Sequence, residues 1–122
     1  MRRSEFERLV SRALDELPAR FAERLKNIAV MVEAQPSREI ARELGSDILG
    51  LYQGASELEQ SPMAPYALPE VIVIYQHNIE AVCRTKEEIV EEVRKTVIHE
   101  IGHHFGLTDE QMEALEAESE GG

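Results

Sequence analysis

The sequence predicts an α+β fold: a small mixed sheet packed on one long helix, with further helical segments at both ends. Three observations carry this. Two short runs dense in β-branched residues, "NIAVMV" and "EVIVIY", read as buried strands. From Thr85 to Gly106 apolar residues recur at helical spacing. Finally, 122 residues leave room for one core of modest size, so residues 1–122 are read as a single domain.

Taken in order, Phe6, Leu9, Val10, Ala13, Leu14 and Leu17 recur at steps of three and four and line one face of a first helix. Pro18 interrupts it, and "ARFAERLK" adds a short second helix before a switch to strand near Asn27. Pro36, an N-cap at Ser37 and a stop at Gly45 bound a third helix. "ILGLYQG" predicts a brief strand, and the proline-rich "ASELEQSPMAPYALPE" a long connection. It leads to "EVIVIYQ", which polar residues stop, leaving His77 as a loop residue. Thr85 caps the long helix, and Glu87, Glu88, Glu91 and Glu92 place negative charge at its positive end. The Glu-rich "DEQMEALEAESEGG" reads as a solvated helix face with a frayed end.

A net charge of -11 repels phosphate backbones, and the basic clusters "MRR" and "RKT" are short, so nucleic acid is not expected as a partner. No apolar run is long enough to cross a bilayer, and no membrane partner is expected. "MRRSEFERLV" lacks the apolar core of a signal peptide, and the lone Cys83 has no disulfide or CxxC partner, so a cytoplasmic location is expected. The expected assembly state is a monomer or weak homodimer.

Chemistry concentrates in "TVIHEIGHHFGLTDEQM". Histidines four apart lie one helical turn above each other, so His99 and His103 can reach one metal ion. Packing is the competing explanation for such a pair. It fails here, because Ile89, Val90, Val93, Val97 and Ile101 mark the apolar stripe while both histidines project from the other side, in line with Glu92 and Thr96. His104 falls inside the stripe and reads as a packing residue.

A catalytic zinc takes three protein ligands and leaves a position for water. Glu100, beside the first ligand, is placed to act as a general base towards that water. Gly106 can end the helix in the left-handed conformation and swing Asp109 back towards the histidines. Asp109 also reads as a first-turn acid in a capping box between Thr108 and Gln111; the two roles are compatible, and Glu113 and Glu116 are the alternative oxygen ligands.

The pattern His99-Glu100-x-x-His103-x-x-Gly106-x-x-Asp109 resembles that of the Asp-zincins. Together with "LGLYQG" and "LPEVIVIYQ", the chain is similar to the small bacterial zincin-like metallopeptidases, or mini-zincins. The resemblance implies a zincin-like fold with one Zn²⁺ on His99, His103 and Asp109, and Glu100 as acid-base residue. It implies a metallopeptidase acting on peptide or unfolded protein; the competing expectation is a zinc-binding interaction module with weak or no hydrolysis. Larger metzincins carry a methionine-containing turn well downstream of the third ligand, whereas this sequence offers Met112. Zincin-like folds place an edge strand along the cleft, a role expected here of "VIVIY". Tyr52, Tyr66, Tyr75 and His104 are candidates for steadying the oxyanion.

Overall fold

The computed structural model describes residues 1–54 and 70–114. Helix α1 (Arg3–Asp15) buries Phe6, Leu9, Val10 and Ala13, the predicted face. Pro18 stands at the N-cap of α2 (Ala19–Arg24), as its fixed φ favours, and a tight turn over Leu25–Asn27 leads into β1 (Ile28–Glu33). Helix α3 (Arg38–Leu44) starts where the Ile40 N–H donates to Ser37 Oγ at 3.2 Å and stops at Gly45, whose φ of 100° suits only glycine. Strands β2 (Gly50–Gln53) and β3 (Glu70–Tyr75) follow, then α4 (Gln76–Val82) and the long α5 (Lys86–His104). The "ASELEQSPMAPYAL" connection and the end of the Glu-rich tail lie outside the described residues.

The sheet of the described residues is mixed, in the order β1-β3-β2. Strand β1 runs parallel to β3 with Ile28 opposite Glu70, and β2 runs antiparallel to it with Gly50 opposite Ile74. This corrects the expected place of "VIVIY": β3 is the central strand, hydrogen-bonded on both sides, and has no free edge for a peptide. Its burial explains why it reads as an unbroken apolar run. The edge beside α5 belongs to β2. Leu49 O accepts from the Tyr75 N–H at 3.0 Å, so residues 49, 51 and 53 face β3, and Gly50 and Tyr52 turn their backbone groups outward.

A second correction concerns "QHNIEAV", with Gln76 expected to end the strand and His77 expected in a loop. It is helix α4, entered directly from β3 with no side chain capping its start, so no sequence signal marks the boundary. His77 is an exposed residue of its first turn, and its N–H donates to Ala34 O at 3.0 Å.

Helix α5 packs on α1 and lies against β2. Its predicted stripe is buried, but so are Thr96, Ile98 and Gly102, because α1, the sheet and the residues after Gly106 cover different sides of it. No helix among the described residues is long and apolar enough to cross a membrane.

Candidate metal centre

The last turn of α5 is closed by two backbone bonds, Leu107 N–H to Gly102 O at 2.8 Å and Gly106 N–H to His103 O at 3.1 Å. With Gly106 at φ 75° this is a Schellman ending, and it reverses the chain immediately after the second histidine. The next helical stretch, 109–114, begins with the expected capping box. The Gln111 N–H donates to Thr108 Oγ1 at 3.1 Å, and the Thr108 N–H to Gln111 Oε1 at 2.9 Å. Between these two caps only Leu107 and Thr108 separate the hinge from Asp109.

The result is convergence of the predicted trio. Asp109 Oδ1 lies 3.9 Å from His99 Nδ1 and 3.6 Å from His103 Nε2, and one ligand atom from each of the three residues falls within 4.8 Å of the others. Donors about 2.0 to 2.1 Å from a tetrahedral Zn²⁺ sit about 3.3 Å apart, and the Asp109 oxygen is within an ångström of that separation from both histidines. The donor chemistry, two imidazoles and a carboxylate, also suits zinc. Glu113 is not part of the cluster, and Glu116 lies outside the described residues.

Glu100 reaches from α5 to the sheet. Its Oε2 accepts from the Tyr52 N–H at 3.1 Å, which ties the carboxylate to the outer edge of β2. Burial pushes this carboxyl above the ordinary glutamate range, opposed by the Tyr52 N–H and by His103 and His99. A cleft of about 350 Å³ opens here between Ile48, Leu49 and Gly50 on one side and Glu92, Lys95, Thr96, His99 and Glu100 on the other.

Three supporting residues escaped the sequence reading. A Cβ on Gly50 would stand 2.7 Å from Thr96 Cγ2 and 3.0 Å from Val73 O, so only glycine lets β2 lie this close to α5. A glycine inside a predicted strand was the available signal. Likewise a Cβ on Gly102 would meet Met112 Sδ at 2.0 Å; the fully buried Met112 fills that space and pins the 109–114 stretch beneath the histidine-bearing turn. Asn78 Nδ2 donates to Ser46 O at 2.9 Å and Ile48 O at 2.7 Å, holding the cleft wall from α4. No local pattern announces that contact.

His104 departs from its expected place in the core. Its side chain is 36% exposed, at the rim of the sheet rather than inside the core. It stacks on Tyr52 with ring centroids 4.1 Å apart and sits 3.7 Å from Glu70. Of the oxyanion candidates, Tyr66 lies outside the described residues and Tyr75 is buried in the core. The Tyr52 hydroxyl is enclosed with no hydrogen-bond partner among the described residues; burial, and secondarily the nearby Glu70 carboxylate, push its ionisation upward. Of the described candidates, His104 is the exposed one.

The family model described as Zincin-like metallopeptidase matches residues 25–119, which include all five motif positions. A solved structure described as a conserved hypothetical protein from Thermo thermophilus is similar, with a TM-score of 0.52 at 26% sequence identity. The match covers 84% of this chain and 92% of that one. No curated protein matches significantly.

Proposed function

Because this chain belongs to the zincin-like metallopeptidase family, we propose that it is a zinc-dependent peptidase in which His99, His103 and Asp109 hold one Zn²⁺ and Glu100 is the general base. The observation that supports this most is the approach of Asp109 to both histidines, at 3.9 Å from His99 and 3.6 Å from His103, produced by the glycine hinge and its flanking caps. Bound there, the ion would supply Lewis acidity and bring the pKa of water towards 7.

The rest of the chemistry belongs to the chain's own groups. Glu100 takes a proton from the attacking water and returns it to the leaving amine. A carboxylate whose proton affinity is raised by burial is better matched to both transfers than an ordinary one. The outward backbone groups of Gly50 and Tyr52 offer an extended peptide the edge of β2, beside the cleft. A substrate docking there would compete for the Tyr52 N–H and free Glu100. The substrate class is peptide or unfolded protein, and the compartment the cytoplasm, in keeping with the lone free Cys83.

The test is Glu100→Gln, which keeps the shape of the side chain and removes its basicity. Hydrolysis of an unfolded protein should fall about 10²- to 10⁴-fold, with one zinc per chain retained. Equal hydrolysis by variant and wild type would remove Glu100 from the reaction. A second reading, a zinc-binding interaction module, is favoured by the side-chain exposure of His103, 58%, and Asp109, 72%. It predicts bound zinc with no hydrolysis by either protein.

A further inference from the structure

Beside the metal centre lies a patch whose composition runs against the rest of the molecule. Arg20 and Arg24 stand one turn apart on α2, both exposed, and neither has an ion-pair partner among the described residues. In a chain with 24 acidic and 13 basic side chains, two neighbouring guanidiniums without carboxylates are unexpected. The nearby acids are otherwise engaged: Glu23 pairs with Lys26 at 3.1 Å, and Glu70 sits 3.7 Å from His104.

Arg24 lies over the ring of Phe105, 4.3 Å from its centroid. Phe105 is 43% exposed and stands two residues beyond His103, its ring edge-on to His104 at 5.0 Å. Two cavities share Arg20, Arg24 and Phe105. One, of about 250 Å³, is walled by Phe21, Ile101 and Leu107, and the other, of about 470 Å³, by Glu23, Asn27 and Glu70. A structural role as a cation over an aromatic ring accounts for Arg24 alone; Arg20 makes no such contact among the described residues.

We propose that this patch is a docking site for an acidic, apolar peptide segment. A carboxylate would bridge the Arg20 and Arg24 forks, and a neighbouring apolar side chain would enter the cavity against Phe105. Phe105 continues the turn that carries His103, so a peptide seated here extends within a few residues to the metal centre. That it is then cut rests on the peptidase reading; the docking does not, since it requires no hydrolysis.

Binding is therefore measured on the zinc-loaded Glu100→Gln protein, by fluorescence anisotropy. The probes are a short fluorescein-labelled peptide alternating Glu with Leu and the same peptide with Gln in place of Glu. The Glu peptide should bind about tenfold tighter or more at low ionic strength, as charge-assisted pairing to two arginines requires, and the preference should shrink as salt rises. Adding Arg20→Gln and Arg24→Gln should abolish the preference while Tm and zinc content hold. If the double change destabilises the protein, the exposed Arg20→Gln alone must still reduce the preference. Equal binding of the two peptides, a preference that survives loss of Arg20, or stronger binding of a thymidine oligonucleotide than of the Glu peptide would each overturn the proposal. A wild type that binds but fails to cut would instead count against the peptidase reading only.

Discussion

The two ends of α5 are held in opposite ways. At its amino-terminal end Thr85 and Glu88 form a capping box, the Glu88 N–H donating to Thr85 Oγ1 at 3.1 Å and the Thr85 N–H to Glu88 Oε2 at 3.0 Å. Arg12 of α1 pairs with both oxygens of Glu87, Lys86 pairs with Glu5, and Ile89, Val90 and Val93 are buried alongside. These restraints overlap. At the carboxy-terminal end His103 and Asp109 are exposed and His99 is half-buried, and the meeting of the three depends on three separate devices: the left-handed Gly106, the space at Gly102 that Met112 fills, and the Thr108 cap. None duplicates another. Both halves of the helix bury apolar residues, but overlapping restraints secure the amino-terminal end while single devices set the geometry of the site, so a change at one end should move one property far more than the other.

The largest effect on folding should come from the buried side. Phe6 of α1 is fully enclosed in the core, and Phe6→Ala should cost about 3 to 5 kcal/mol by denaturant unfolding. The fraction that remains folded should bind zinc as the wild type does. At the other end, Gly102→Val forces Met112 out of contact. The overpacking should cost about 1 to 3 kcal/mol, and zinc affinity should fall at least about tenfold, the equivalent of ~1.4 kcal/mol. Competition with a zinc chelator on protein held well below its Tm separates the two quantities. If Phe6→Ala weakens zinc in the folded fraction as much as Gly102→Val does, the division between the two ends is wrong.

Gly106→Ala isolates the hinge. A Cβ there meets nothing within 4 Å, so the cost comes only from the positive φ, about 1 to 2 kcal/mol. Gly106→Asn should recover part of it, since asparagine tolerates the left-handed region. Zinc affinity should follow the same order of Gly, Asn, Ala. An alanine variant with unchanged affinity would mean that the Thr108 cap and Met112 aim Asp109 by themselves.

Local chemistry decided how much of this could be read from the sequence. The caps at Ser37, Thr85 and Thr108, the stops at Gly45 and Gly106, and the histidine spacing each act within a few residues, and the structure has all of them. What failed depended on neighbours distant in the chain. The order β1-β3-β2 places "VIVIY" in the centre, and periodicity carries no information about which strand becomes an edge. His104 fits the apolar stripe, but nothing in the sequence says that it meets only the rim of the sheet, against Tyr52. Gly50 and Gly102 look like weak points of a strand and a helix until Thr96 and Met112 are seen against them.

The smallest effect should come from the ion pair that looks strongest on inspection. Arg12 Nη1 and Nη2 reach Glu87 at 2.8 and 2.6 Å, but both groups are exposed, where water and salt weaken the attraction. Arg12 holds the Glu87 carboxyl below the ordinary glutamate range. A depressed carboxyl stabilises the fold above its unfolded-state value, and that contribution disappears as pH falls through the lower, folded-state value. The Tm difference between wild type and Arg12→Gln should therefore be small at neutral pH, smaller still in high salt, and absent in acid where Glu87 is protonated. Thermal unfolding across a pH series checks this. A neutral-pH difference larger than that of Gly106→Ala, or one that grows in acid, would mean that the amino-terminal end of α5 depends on this pair rather than on its buried face.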